Sequence, residues 1–147
     1  HRGCWVSCYP YSMPEIRRAR RLPVIFPMIR KFFDSVDHEV LLGLCRLNIA
    51  DTAALDLLEN IIRSFETRHG KGIPIGNLTS QLFANVYLDS LDQYVKRTVR
   101  FKHYIRYTDD FVFLSHDREE LERLLPQVTD FLRDNLLLDM HPDKVIF

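Results

Sequence analysis

The sequence predicts an α+β domain, a small antiparallel sheet with helices packed on one face. Three observations lead there. Aromatic and β-branched residues crowd both sides of Tyr107-Thr108-Asp109-Asp110, as two strands joined by a tight turn require. Apolar residues recur at helical spacing in four other stretches, three of which follow an aspartate, a residue that caps helix N-termini well. The helical stretches lie between the strand-like ones, an order that suits a layer of helices on a sheet and a split β-α-β arrangement.

Taken in order, residues 1–27 carry Pro10, Pro14, Pro23 and Pro27 and hold no regular period. They are set apart as an atypical N-terminal segment from the unit over residues 28–147. Asp37 caps a helix over about 38–47, with Val40, Leu41, Leu44 and Leu47 as its apolar face. Asp51 caps a second helix to about Arg68, with Leu55, Leu58, Ile62 and Phe65 facing the core. His69 to Leu78 is a Gly-rich loop that needs special backbone angles or a close approach of another backbone. It does not match a Walker phosphate loop, which ends in Gly-Lys-Ser/Thr.

Thr79-Ser80-Gln81 opens a long helix to about Val95, with Phe83, Tyr87, Leu91 and Tyr94 or Val95 as its buried stripe. Ser80, Gln81 and Asn85 sit near the loop, where they either cap and solvate the helix or hydrogen-bond a ligand lying over the glycines. After the hairpin, Asp117 caps a helix over about 118–134, with Pro126 interrupting it. Leu136 to Met140 reads as a short strand, His141 to Lys144 as a turn, and Val145 to Phe147 as the start of another strand.

Composition narrows the class. The chain has 147 residues, 46% of them apolar and 27% charged, which suits one folded domain. Twenty basic and twenty acidic residues cancel, so overall charge does not announce a nucleic-acid binder. The cancellation is uneven: residues 1–27 hold five arginines against one glutamate. The Arg17-Arg18-Ala19-Arg20-Arg21 run is either a phosphate contact or a solvated segment. Cys4, Cys8 and Cys45 are odd in number and irregular in spacing, which argues against a disulfide framework, and Cys4 and Cys8 alone make no zinc site. No apolar run approaches the ~20 residues of a membrane span, and the first residues lack the long apolar core of a signal peptide. A reducing cytoplasm is the expected location, with no membrane partner. The sequence starts at His1 and stops inside an apolar run, and is expected to be a piece of a longer protein.

The hairpin turn holds the chemistry. Two adjacent carboxylates repel unless a positive charge sits beside them, and a divalent cation meets that need. Alone, Asp109-Asp110 would be a surface turn. Beside it stand two further blocks, Ile29-Arg30-Lys31-Phe32-Phe33-Asp34-Ser35-Val36-Asp37-His38 and the stretch from Gly72 to Asn85. Together with Tyr104 to Phe111 they resemble, in order and spacing, the palm of a reverse transcriptase. Leu138 to Lys144 is a weaker fourth block. The resemblance covers about residues 29–147. Ile75-Gly76-Asn77-Leu78-Thr79-Ser80-Gln81 looks like bacterial retroelement enzymes, those of diversity-generating retroelements and their group II intron relatives.

That resemblance implies a polymerase palm-like antiparallel sheet with incomplete fingers and no thumb. It implies an RNA-directed DNA polymerase that adds deoxynucleotides to a DNA or RNA primer along a template RNA, with two Mg²⁺ ions, or Mn²⁺ in their place, and a retroelement accessory protein among its partners. Asp109 would be the main metal ligand and Asp110 would assist. Phe33 would stack under the incoming sugar. Gly76, Asn77, Ser80 and Gln81 would lie against the nascent base pair, and Lys144 near the triphosphate. Arg106 reads as either a phosphate contact or a strand-edge charge.

One departure stands out. The family has an aspartate directly before Ile-Arg-Lys-Phe-Phe, the other metal-bridging ligand, and here the position is Met28. A thioether is a soft ligand and magnesium a hard ion. Asp34 and Asp37 fall at a variable position and a helix cap, not at that site. Upstream of Met28 the resemblance stops, a border that a deletion, frame error or rearrangement in the source sequence would produce. The chain alone is therefore expected to be inactive. The alternatives are a non-catalytic nucleic-acid-binding module and a defence-related relative that keeps the palm and changes the reaction.

Overall fold

The computed structural model describes residues 23–141. Its elements are β1 (Val24–Ile25), α1 (Phe32–Ser35), α2 (His38–Asn48), α3 (Thr52–Arg63), α4 (Leu78–Gln93), β2 (Tyr104–Tyr107), β3 (Asp110–Leu114) and α5 (Arg118–Leu136). β3 is the middle strand, antiparallel to β1 with Val24 opposite Leu114, and to β2 with Tyr107 opposite Asp110. Single bridges widen this sheet, Met28 opposite Asp110 and Ile29 opposite Met140.

Alternation along β3 decides which face is covered. Phe111 and Phe113 are buried while Asp110 is exposed. The two phenylalanines join Tyr104, the α4 residues Tyr87, Leu88 and Leu91, and the α5 residues Leu121, Val128 and Leu132 in one core. Each such side chain contributes about 1.5–3 kcal/mol by leaving water. The helices therefore lie on one face, as the α+β reading expects. Tyr94, just past α4, stacks on Phe131 of α5 at 4.2 Å, which ties the two helices together.

The three aspartate caps are present. Asp37 accepts from the N–H groups of Glu39 and Val40, Asp51 from Ala54, and Asp117 from Glu119. Other expectations need correction. Leu47 is 81% exposed. The buried side of α2 is Leu41, Leu42 and Cys45, and Leu47 lies about 200° round the helix from Cys45. α3 stops at Arg63, because the Ser64 hydroxyl and N–H both turn back to the Ile61 carbonyl, and Phe65 falls outside it. Pro126 does not break α5, which takes in Leu136. Leu137 then caps it at φ 51°, so the strand expected over Leu136 to Met140 shrinks to the Met140 bridge. Beyond α4 the chain winds as a π-helix over Tyr94–Val99 and ends on Arg100 at φ 60°. The turn after His141 and the last strand lie outside the described residues.

The Gly-rich loop is seated on α1 and the start of α2 by its backbone. Gly72 N–H donates to Val36 O and Ile73 N–H to Phe33 O, both at 2.8 Å. Buried His38 donates from Nε2 to Gly72 O at 2.7 Å, and its own N–H reaches Gly70 O. Gly72 has φ 108°, and a Cβ there would stand 2.2 Å from Thr67 Oγ1 and 2.9 Å from Thr67 N. Tyr87, fully buried, joins three elements: its hydroxyl donates to Leu136 O at 2.6 Å and accepts from Asp37 N–H at 3.2 Å.

Two outcomes follow from this packing. Gly72→Ala should cost about 2–3 kcal/mol, from positive φ and the clash with Thr67, whereas Gly76→Ala, at φ 85° in open space, should cost about 1 kcal/mol. Urea midpoints measure both, and equal losses would remove the role given to Thr67. Burial pushes the Tyr87 hydroxyl far above its ordinary range. Its folded pKa exceeds its unfolded one, so the stability it contributes is full below about pH 10 and falls as pH rises beyond. Tyr87→Phe should lower stability at pH 7 by about 1–3 kcal/mol and flatten the alkaline decline, as read from denaturation curves across pH 7–11.

Candidate active site

Thr108 and Asp109 form the two-residue turn between β2 and β3, closed by the Tyr107–Asp110 pair. Thr108 has φ 53°, a left-handed conformation that a β-branched residue adopts at a cost of about 1–2 kcal/mol. Something must hold it, and Arg106 does. Its Nη1 donates to Thr108 O at 2.7 Å and to Asn85 Oδ1 at 3.1 Å. Its Nε and Nη2 form a fork on the Asp92 carboxylate at 2.9 and 2.6 Å. The Tyr104 hydroxyl donates to the same carboxylate at 2.7 Å. Thr108 Oγ1 adds bonds to Tyr107 O and Asp109 Oδ1.

Arg106 is thus neither a phosphate contact nor a strand-edge charge. Its side chain is only 9% exposed, on the helix side of β2 in phase with Tyr104, and it bolts the turn to α4. Burial is the largest single influence and works against its charge, but the hydrogen bonds and charge of Asp92, with Tyr104 and Asp89 behind them, together outweigh it, so the guanidinium stays protonated. Burial first, and then the Asp92 charge, pushes the Tyr104 hydroxyl far above the usual phenol range. Asn85 serves this network and caps nothing. The sequence offered one signal for it: an arginine on the buried phase of an otherwise apolar strand needs a carboxylate, and Asp92 is on the helix beneath.

The structure brings some of the expected site residues together. Asp109 and Phe33 line one cleft of about 190 Å³, with Ile29, Lys31, Asp34 and Ile75. Phe33 is half-buried, edge-on to Phe32 at 5.3 Å. Sequence reading passed over Asp34 as a metal ligand and gave Ile29, Lys31 and Ile75 no role of their own, yet all four line this cleft. Gly76, Asn77 and Gln81 are exposed at the entry to α4, next to Ile75 in the chain. Asn77 stands at the N-cap position with its side chain uncommitted to the helix. Ser80 is buried, and its Oγ has no partner among the described residues. Lys144 lies outside the described residues.

Asp110 is exposed, and its backbone pairs with Met28. Residues directly opposite in an antiparallel pair put their side chains on the same face, about 4.5–5.5 Å apart at Cβ. Met28 thus occupies the place beside the turn from which a carboxylate would complete an acidic trio. Among the described residues no three His, Cys, Asp or Glu side chains gather as metal ligands. Two carboxylates and a thioether do not fit a pair of hard divalent cations.

The Asp92–Arg106 clamp yields a direct test. Asp92→Ala strands a buried guanidinium and should cost about 2–4 kcal/mol. Arg106→Lys keeps a charge and loses the fork, so amide exchange at Asp109 and Asp110 should quicken. An Asp92→Ala loss under about 1 kcal/mol would show that the clamp does not hold the turn.

Comparison with known proteins places this geometry. The family model described as reverse transcriptase (RNA-dependent DNA polymerase) matches residues 17–147. The group II intron-encoded protein LtrA of Lactococcus lactis subsp. cremoris is 29% identical over 105 residues, 67% of this chain and 15% of that protein. The putative COX1/OXI3 intron 2 protein of Saccharomyces cerevisiae is 29% identical over 75 residues, 46% of this chain and 9% of that protein. The chain therefore spans a small part of these relatives. Apo telomerase from Candida tropicalis, truncated from the C-terminal domain, superposes with a TM-score of 0.62 at 12% identity, covering 89% of this chain and 32% of that one. The same telomerase with the TWJ fragment of telomeric RNA gives 0.60 at 11% identity, over 89% and 27%. At these identities the likeness is one of fold, a palm-like sheet with its helices. Because the family match takes in the whole described sheet and every helix packed on it, the chain belongs to the reverse transcriptase (RNA-dependent DNA polymerase) family.

Proposed function

We propose that this chain is the palm of an RNA-directed DNA polymerase, the part that in a whole enzyme adds deoxynucleotides to a primer 3′-hydroxyl along a template RNA. One observation carries the reading: the turn carboxylate Asp109 and the aromatic Phe33, far apart in sequence, line the same small cleft. Phe33 can support the sugar of an incoming nucleotide there. The uncommitted side chains of Asn77 and Gln81, beside Gly76, are free to meet a template base. Primer, deoxynucleotides and a retroelement accessory protein complete the expected partners. No described helix is long and apolar enough to cross a membrane, and the cytoplasm is the proposed location.

The family's nucleotidyl transfer is supported by divalent cations, Mg²⁺ or Mn²⁺, which neutralise phosphoryl charge. Asp109 and Asp110 are the oxygen donors this chain offers them, and Met28 withholds the third. No catalytic step is assigned to so incomplete a set, and the chain as it stands is proposed to be inactive in polymerisation. Met28 also favours a second reading, a palm that binds nucleic acid without copying it. Binding of a single strand that survives Asp109→Ala would favour that reading.

The test is Met28→Asp. Calorimetry should show Mn²⁺ binding roughly tenfold or more tighter in the variant than in the wild type. Equal affinities would remove position 28 from the site. With template RNA, primer, deoxynucleotides and Mg²⁺, the wild-type chain should give no extension, and robust extension would overturn the proposed inactivity.

A further inference from the structure

Away from the cleft, the chain between α4 and β2 carries the densest positive charge in the described structure. From Gln93 to Thr108 there is no acidic residue, while Lys96, Arg97, Arg100 and Lys102 fall within seven positions and are all exposed. Their state differs from that of the cations on the long helices and the hairpin, and is shared among the described residues by exposed Arg30, Lys31 and Arg68. Every Lys or Arg of α2, α3, α5 and the hairpin has a carboxylate partner: Arg46, Arg63, Arg106, Arg118, Arg123 and Arg133. None of the four between Gln93 and Phe101 or just beyond has a carboxylate partner among the described residues. Only Glu15 and Asp143 lie outside that set.

Two ordinary explanations fall short. Cations favour the negative end of a helix, which accounts for Lys96 and Arg97 in the last turn but not for Lys102 beyond it. Lys96 also lies 6.0 Å over the Tyr104 ring, too far to account for its charge by more than a weak contact. Shape adds a separate observation. Arg100 and Lys102 line a second cleft, about 330 Å³, together with exposed His116, buried Ser115 and the carboxylates Asp117 and Glu120, of which Asp117 pairs with Arg123 and Glu120 accepts from the Ser115 hydroxyl. The segment precedes β2, so it meets the sheet at the end opposite the Thr108–Asp109 turn, one strand length away.

We infer that this segment is a second binding surface, outside the cleft of Asp109 and Phe33, for the sugar-phosphate backbone of an RNA. Four exposed cations without carboxylate partners among the described residues, two of them lining a concavity whose carboxylates are engaged by Arg123 and Ser115, fit a row of phosphates. A protein partner fits less well, because protein interfaces centre on apolar side chains and none of the exposed large apolar residues lies between Gln93 and Tyr104. The choice of RNA as the polyanion rests on the polymerase reading above, while the surface itself does not.

The test is fluorescence anisotropy with a labelled single-stranded RNA oligonucleotide, titrated with the whole chain at several KCl concentrations. Replacing Lys96, Arg97, Arg100 and Lys102 together by Gln should flatten the plot of log affinity against log salt by roughly 2–3, since each single-strand phosphate contact contributes about 0.7. Each single replacement should flatten it by about 0.7, which keeps the test open if the quadruple variant unfolds. A control with Arg46, Arg118, Arg123 and Arg133 changed to Gln removes the same net charge and should leave most of the slope. An unchanged slope in the patch variants, an equal change in the control, or competition by a polyaspartate peptide as strong as by RNA would each overturn the inference. None of these readings depends on Met28 or on polymerisation, so a failure here is separate from a failure of the proposed function.

Discussion

The hairpin depends on one buried ion pair. Thr108 is held in a backbone conformation it would not choose, and the hold is a guanidinium on the core side of the sheet. A guanidinium is tolerable there only because Asp92 accepts two of its bonds and Asn85 and the Thr108 carbonyl accept from Nη1, while the Tyr104 hydroxyl donates to the same Asp92 carboxylate. The strain and the ion pair therefore support one another. Without the clamp the turn would relax, and without the turn the clamp would lose one of its acceptors. This is a small polar island inside an aromatic core, and it sits directly behind the two carboxylates that face outward.

The cleft on the other side is assembled by backbone contacts of a different kind. Gly72 can press against Thr67 only because it has no side chain, and that approach lets the loop bond to Val36 and Phe33. Phe33 is thereby fixed from two directions, by its own carbonyl and by the Phe32 ring. Asp109 reaches the same space from the turn. Two rigid supports, a seated loop and a clamped hairpin, converge on a site that neither could shape alone.

Much of this was legible in the amino-acid order. The aspartate caps, the hairpin and the apolar stripe of α4 are local signals, and the structure carries them where the pattern put them. What escaped was decided by contacts distant in sequence. Leu47 has the right spacing for a core face, yet the side buried is chosen by what α2 meets. The strand expected after α5 was lost to one left-handed residue, Leu137. Arg106 could not be assigned, because its partner stands fourteen positions away on another element. The exposed position of Gln81 and the burial of Ser80 both depend on how α4 turns against the sheet, which spacing alone leaves open.

The Met28–Asp110 bridge is made of main chain, so the place beside the turn exists whatever side chain fills it. Three carboxylates in that space would repel one another until a cation arrived, and a domain built that way would gain stability with rising divalent ion concentration. Methionine removes one of the charges. The folding of this domain is thereby coupled less tightly to ion supply, and its melting temperature should rise less between chelator and millimolar magnesium than that of the Met28→Asp variant.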